Sequence, residues 1–219
     1  MQRNEPPNAL PSKCNDFVIK NNEFIRDFEG MYQNYDDPWN QRQESEDLAI
    51  KLAFCALSEV VKISNISPDS ILDVGCADGY YAEQLLKLFP KATYFGTDIS
   101  PTVISRSRIK ENRSTEFAVN DIRVRTESLV KRFDIIFCSK TIYYCAPEIK
   151  VVLPNIRDYL RDNGLFCFTY NQQPDSFSNT WLTYKKLRHM LLRQGWKEKS
   201  FFEVNRFSSK AIAIGIYSL

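Results

Sequence analysis

No stretch of this 219-residue chain restricts its architecture more than Ile71-Leu72-Asp73-Val74-Gly75-Cys76-Ala77-Asp78-Gly79-Tyr80. An apolar run enters a turn carrying two glycines and leaves it in a helical pattern, as a parallel strand does when it hands over to a crossover helix. With only seven glycines in the chain, two at one turn mark a place where a Cβ would forbid the backbone conformation or a close approach. From Ser67-Pro68 onward, short apolar runs alternate with helical segments: ILDVG, residues 80–89, ATYFGTD, residues 101–112, TEFAVND, FDIIFCS, residues 147–162, GLFCFTY and residues 179–193. The alternation predicts an α/β fold, a parallel sheet with helices on both faces. The closing runs KSFFEVN and KAIAIGIYS lie too close together for a parallel crossover and should pair antiparallel at the end of the sheet. Pro154 is expected to kink or split the helix of residues 147–162.

Ahead of this core the pattern differs. The opening MQRNEPPNALPS, with three prolines, reads as a frayed tail. Apolar residues return at helical spacing over residues 16–28 and 44–61, the second with Leu48, Leu52, Cys55, Ala56 and Val60 on one stripe. Between them, MYQNYDDPWN is interrupted by Pro38 and crowds Tyr32, Tyr35 and Trp39 together, as a loop. The organisation expected is a flexible tail over 1–15, an N-terminal helical segment and lid over 16–66, and the α/β core over 67–219.

Composition narrows the function. At 43% hydrophobic and 26% charged residues the chain is a soluble globular domain, and no apolar run approaches the length of a membrane span. A formal charge of +2, with no long run of one sign, lacks the footprint of a nucleic-acid binder and favours a small or polar acceptor. Cys14, Cys55, Cys76, Cys138, Cys145 and Cys167 form no CxxC pair and read as buried thiols in a reducing cytoplasm. The single histidine, His189, lies in the helical pattern KKLRHMLLRQG far from any cysteine pair, so no metal site is expected.

The turn after ILDVG is a nucleotide-type cradle, but its pattern is G-x-A-x-G flanked by Asp73 and Asp78, where a dinucleotide site has G-x-G-x-x-G. Carboxylates repel a pyrophosphate and suit a ligand with an ammonium and a sulfonium, which S-adenosylmethionine presents. Asp98 closes the next strand, where an acid can accept both ribose hydroxyls. After TEFAV, Asp121 is placed to take an adenine amino group, with Ile99 and Ile122 on either side of the ring. Helix capping and turn closure are the plain alternative for each acid; their recurrence at successive strand ends argues for the ligand.

These residues resemble the class I S-adenosylmethionine-dependent methyltransferases. DVGCADG is similar to their glycine-rich first motif, with Ala77 at the usual middle glycine; Asp98 stands as their second-strand acid, Asp121 in their third motif, and FDIIFCSKTIYY as their fourth strand. The resemblance covers about residues 44 to 219. It implies a Rossmann-like seven-stranded sheet of order 3-2-1-4-5-7-6 with the seventh strand antiparallel. It also implies a cofactor site of Asp73, Gly75, Cys76, Ala77, Asp78, Gly79, Asp98, Ile99, Asp121, Ile122 and Ser139, with S-adenosyl-L-homocysteine as product. YDDPWNQRQESEDLAIKLA together with SKTIYY resembles the nodulation-type N-methyltransferases acting on chitooligosaccharide, and by that resemblance Tyr35 and Trp39 fold over the cofactor as a lid. Those relatives typically carry an acid where this chain has Lys140.

Methyl transfer from a sulfonium is an in-line displacement that chiefly requires alignment. A neutral amine needs little activation, whereas a hydroxyl needs a base within reach. The loop after FDIIFCS, with Ser139, Lys140, Thr141, Tyr143 and Tyr144, supplies no histidine, which favours an amine or a hydroxyl served by Tyr or Asp. Tyr143, Tyr144 and Lys140 are the catalytic candidates. SKTIYY is unlike the Asn/Asp-Pro-Pro-Tyr motif of adenine and glutamine N-methyltransferases. The acceptor expected is a small molecule or glycan, such as an amino sugar; the alternative is an inactive cofactor-binding module that regulates a partner.

Overall fold

The computed structural model describes residues 16–20, 23–40, 48–172, 182–205 and 211–219. After a short hairpin of β1 (Ile19–Lys20) and β2 (Glu23–Phe24) come α1 (Phe28–Asn34) and α2 (Leu48–Ile63). The core then runs β3 (Ser70–Val74), α3 (Ala82–Leu88), β4 (Thr93–Asp98), α4 (Pro101–Ser107), β5 (Thr115–Val119) and β6 (Phe133–Ser139). A 3₁₀ segment, Ile142–Glu148, leads into α5 (Ile149–Tyr159), β7 (Leu160–Gln172), α6 (Tyr184–Arg193), β8 (Lys197–Asn205) and β9 (Ala211–Ser218).

The seven-stranded sheet has the order β5-β4-β3-β6-β7-β9-β8, which is 3-2-1-4-5-7-6 when counted from β3. Pairings from β5 to β7 are parallel, and β9 runs antiparallel to both β7 and β8. Period-2 side-chain alternation divides the strands between two cores. Leu72, Ile136, Phe166 and Phe168 face α5 and α6, while Ile71, Ile135, Phe137 and Leu165 face α2 and α3. Both faces are covered, so these strands read as unbroken apolar runs. Each such side chain, fully buried, contributes roughly 1.5–3 kcal/mol.

Several N-terminal expectations fail on contact with the structure. The helix expected over 16–28 is present only at residues 16–18; Ile19 and Phe24 then pair across the hairpin, and Val18 is buried. The next helix, α1, starts at Phe28, because Asp27 Oδ1 accepts the Gly30 N–H at 2.9 Å as an N-cap. It therefore runs through Met31 and Tyr32, residues expected in a loop. On α2 the buried stripe is Ile50, Ala53, Leu57, Val60 and Val61, so Leu52 and Ala56 lie at its edge and Cys55 is exposed, contrary to the reading of its thiol as buried. Pro154 does not split its helix: α5 is continuous, and the carbonyl that loses a partner belongs to exposed Lys150, where water can serve. That helix ends at Tyr159, since the strand begins at once with Leu160. The expected tail over 1–15, including Cys14, lies outside the described residues, as do 44–47 and 179–181.

Candidate functional site

The carboxyl ends of β3, β4 and β6 meet beneath the N-terminal segment. At the turn after β3, Gly75 and Cys76 both donate their N–H groups to the Thr97 carbonyl, at 2.8 and 2.9 Å, which folds the loop onto β4. Gly75, Ala77 and Gly79 take φ values of +72°, +48° and +74°. A Cβ on Gly75 would lie 2.4 Å from Thr141 Cγ2, and one on Gly79 would lie 2.5 Å from the Phe117 ring. The glycines thus make room for this protein's own side chains as well as for the left-handed turn.

Two carboxylates are sealed into this junction. Asp73 accepts from the Tyr94 hydroxyl at 2.8 Å, and burial, opposed by that bond and reinforced by the nearby Asp98 charge, pushes its pKa to about 7. Asp98 accepts the Ala77 N–H at 3.1 Å and the Ser100 N–H at 3.0 Å. Burial outweighs those backbone bonds and raises its pKa to about 6. Asp78 Oδ2 is 3.8 Å from Lys110 Nζ, while its buried Oδ1 receives no hydrogen bond. An acceptor without a donor beside two crowded carboxylates suits a ligand that brings cationic or hydroxyl donors. Buried Cys76 and Cys138 have thiols held well above their usual range, first by burial, so neither is a nucleophile.

The third acid is already engaged. Both oxygens of Asp121 receive hydrogen bonds from Arg123, at 2.7–3.0 Å, and burial raises its pKa less than these bonds lower it. Ile99 is 37% exposed at the rim after β4, whereas Ile122 packs into the core with its carbonyl accepting from Asn155 Nδ2 at 2.8 Å. After β6, Ser139 Oγ meets Thr169 Oγ1 at 3.0 Å, and Lys140, at φ +53°, donates its N–H to the Thr169 carbonyl. Tyr143 and Tyr144 stand ring to ring, centroids 4.5 Å apart, with Tyr143 also against Tyr170. His189 is exposed on α6, in a helix that also exposes Lys185, Arg188 and Arg193. Among the described residues no cluster of three or more His, Cys, Asp or Glu forms a possible metal site.

The N-terminal segment covers these strand ends. Trp39 packs against Phe28 and Tyr144, and its Nε1–H donates to the Tyr32 hydroxyl at 2.7 Å. Tyr35 instead turns its ring edge-on to Phe17. Tyr32 is the residue that reaches the junction: it is fully buried in one cluster with Ala77 and close enough for the Asp98 charge, after burial itself, to raise its pKa. Sequence reasoning noted Tyr32 only as part of an aromatic crowd, and it missed Glu29, Arg26 and Arg106. Arg26 forms a two-armed ion pair with Glu148, at 2.6 and 3.0 Å, joining the segment to the end of the 3₁₀ turn that carries Tyr143 and Tyr144.

A family model described as a methyltransferase domain matches residues 72–166. Among curated proteins, the chain is similar to a malonyl-[acyl-carrier protein] O-methyltransferase of Halalkalibacterium halodurans, 28% identical over 55% of this chain and 45% of that protein. It is also similar to a release factor glutamine methyltransferase of Flavobacterium psychrophilum, 28% identical over 77% of this chain and 56% of that one. The chain spans about half the length of the curated relatives it matches. Among solved structures, the N-methyltransferase NodS of Bradyrhizobium japonicum WM9 in complex with S-adenosyl-L-homocysteine superposes with a TM-score of 0.63, at 19% identity, over 84% of this chain and 92% of that one. No helix among the described residues is long and apolar enough to cross a membrane.

Proposed function

We propose that this chain, which has the class I methyltransferase fold and carries the methyltransferase domain over residues 72–166, transfers a methyl group from S-adenosyl-L-methionine to nitrogen or oxygen of a small polar acceptor. The observation that carries the reading is the pairing of Asp98 with the Ala77 N–H at the closed end of a glycine-flanked turn. Backbone donors hold both Asp98 oxygens in place, Ala77 on Oδ2 and Ser100 on Oδ1, and a carboxylate has about four acceptor directions, which leaves capacity for a ribose hydroxyl. The unsatisfied Oδ1 of Asp78 supplies negative charge that favours a cationic ligand over a pyrophosphate, and a bound cation draws Asp73 toward its ionised form. Gly75, Cys76, Ala77 and Gly79 present main chain to the ligand, exposed Ile99 flanks the adenine while Ile122 backs the site from the core, and Ser139 closes the β6 side. Asp121 meets the adenine only by sharing its carboxylate with Arg123.

The sulfonium, when bound, provides an activated methyl carbon, and this chain's residues are left to exclude water and orient the nucleophile. Tyr32, Tyr35 and Trp39 do the first as a lid. Tyr143, Tyr144 and Lys140 face the acceptor, with a tyrosine hydroxyl or backbone acceptor receiving its hydrogen bond. An amine or an already nucleophilic oxygen fits this loop, which holds no imidazole. Amino sugars, glycans and related metabolites head the acceptors; the likeness to enzymes named for malonyl-[acyl-carrier protein] adds carrier-borne oxygen to the panel.

Calorimetric titration with S-adenosyl-L-homocysteine and cofactor-dependent methylation of a metabolite extract, read by mass shift, test the reading. Binding with a methylated product is expected. Binding without product across amine, glycan and carrier-bound acceptors would favour a regulatory module, and no binding would overturn the assignment.

A further inference from the structure

The contact between α1 and α4 is organised around one carboxylate. Glu29 Oε2 accepts from Ser100 Oγ at 2.5 Å and from the Thr102 N–H at 3.2 Å, while Oε1 accepts from Thr102 Oγ1 at 2.5 Å. These three bonds join the first turn of α1 to the first turn of α4, across more than seventy residues of chain. Ser100 is also the residue whose N–H fixes Asp98 Oδ1, and its Oγ accepts the Val103 N–H as the cap of α4. One turn further along α1, Tyr32 is buried beside Ala77, another backbone donor to Asp98. The lid thus touches two of the residues that anchor the acid, Ser100 and Ala77; the third, Ile99, lies next to it in sequence.

We propose that Glu29 is a positioning residue for the cofactor site, a clasp through Ser100 and Thr102 that makes closure of the N-terminal lid and fixation of the ribose-binding carboxylate a single event. This rests on the methyltransferase reading above. With the clasp closed, Asp98 is only 7% exposed and Tyr32 and Ala77 share one buried cluster beside it, so a ligand enters and leaves when Glu29 lets go of α4. The carboxylate stays charged while it holds, because burial, the largest single influence and one that raises its pKa, is outweighed by the hydrogen bonds from Ser100, Thr102 and Gln33 that together lower it. Among the described residues, those coupled to Asp98 include Glu29 and Tyr32 of α1, Asp73 of β3 and Cys76 of the turn, and of these Glu29 is the charged group that α1 contributes.

The test is the dissociation of S-adenosyl-L-homocysteine from the whole chain, followed by stopped-flow displacement for the parent, Glu29→Gln and Thr102→Val. Glu29 is half-exposed, so Gln is accommodated without loss of the fold. Loss of the charge-assisted bonds is expected to speed dissociation of the Gln variant roughly tenfold. Thr102→Val, which removes only the Oε1 contact, is expected to fall between it and the parent. A second readout separates positioning from loosened packing: the acid limb of ligand binding, set by Asp98, moves to lower pH in Glu29→Gln, where a facing negative charge is gone, and stays near the parent's in Thr102→Val, which weakens the clasp but keeps that charge; an equal move in both variants would mean loosened packing alone and would overturn the positioning role. A parent that binds the ligand, with variants that release it at the parent rate and share its acid limb, would overturn the clasp while leaving the function intact. A parent that fails to bind would overturn the function first.

Discussion

Glu29 and Arg106 tie the same two short helices together from opposite ends. Glu29 sits in the first turn of α1 and binds the first turn of α4, whereas Arg106 sits in the last turn of α4 and donates to the carbonyls of Tyr32 and Tyr35 at the end of α1, at 2.8 and 3.3 Å. Each charge meets the helix end whose unpaired backbone groups are of opposite sign. Helices of seven residues each are too short to persist alone. Their mutual capping gives the N-terminal segment its place over the strand ends.

Arg106→Ala should therefore loosen the lid more than the core. Arg106 loses carbonyl partners and a 3.5 Å pair with Asp36, but the guanidinium is partly exposed and its charge screened. A loss of about 1–2 kcal/mol is expected, read as a fall of about 2–8 °C in Tm. Protease cleavage within residues 16–40 should rise by a larger factor than cleavage in the sheet. Equal rises in both would show that the lid and core unfold together.

The buried acids give stability a definite pH dependence. Asp73 and Asp98 ordinarily titrate near 3.8 but titrate at about 7 and about 6 in the fold. Between those limits the native chain holds protons that the unfolded chain has released, so their contribution is greatest below 3.8 and is lost as pH rises through about 6 and about 7. A bound cation favours the ionised forms, so stabilisation by S-adenosyl-L-methionine should grow over the same window. Thermal melts with and without ligand should diverge as pH rises. Asp98→Asn should flatten the Asp98 part of the ligand-free slope and weaken binding; a variant with parental affinity would refute the ribose role.

The core was legible because a strand buried on both faces leaves a run such as FDIIFCS that no solvent-facing position interrupts, and because glycines at positive φ must be written into the sequence. The acids at the strand ends were legible for the same reason: they stand at fixed offsets from those runs. The lid was not. Its strands are two residues long and its helix is set by the Asp27 cap, too little for periodicity to resolve. Tyr32, Glu29 and Arg106 gain their meaning from contacts some seventy residues away in sequence, a distance local pattern does not cover. The α2 stripe went astray because apolar residues surround that helix, and only packing shows that Cys55 points outward.

Trp39 offers a separation of packing from hydrogen bonding. Trp39→Phe keeps a ring against Phe28 and Tyr144 but removes the indole donor to the Tyr32 hydroxyl. If that bond orients Tyr32 toward the Asp98 junction, affinity for S-adenosyl-L-homocysteine should fall about fivefold to tenfold, an effect of about 1–1.5 kcal/mol. Tm should move by less than about 3 °C. Tyr32→Phe should reproduce the loss, and the double variant should add little to either. A large fall in Tm with unchanged affinity would make Trp39 a packing residue alone.

Gly75 and Gly195 share a positive φ, +72° and +82°, but differ in what surrounds them. An added Cβ at Gly75 meets Thr141 within 2.4–2.5 Å, whereas at Gly195 nothing lies within 4 Å. Gly195→Ala should then cost only the left-handed backbone term, about 1–2 kcal/mol. Gly75→Ala should cost that plus about 1–3 kcal/mol of overpacking against Thr141. Adding Thr141→Ala to Gly75→Ala removes the contacts at 2.4 and 2.5 Å but keeps Thr141 Cβ at 2.9 Å, so it should recover part of the packing loss and leave the backbone part, and urea midpoints fall in the order Gly195→Ala, then the double variant, then Gly75→Ala. Because Thr141 joins the β6 loop to the turn that Asp98 anchors, the double variant should regain fold stability without regaining full ligand affinity. Recovery of both together would mean that the Thr141 contact supports the turn and nothing more.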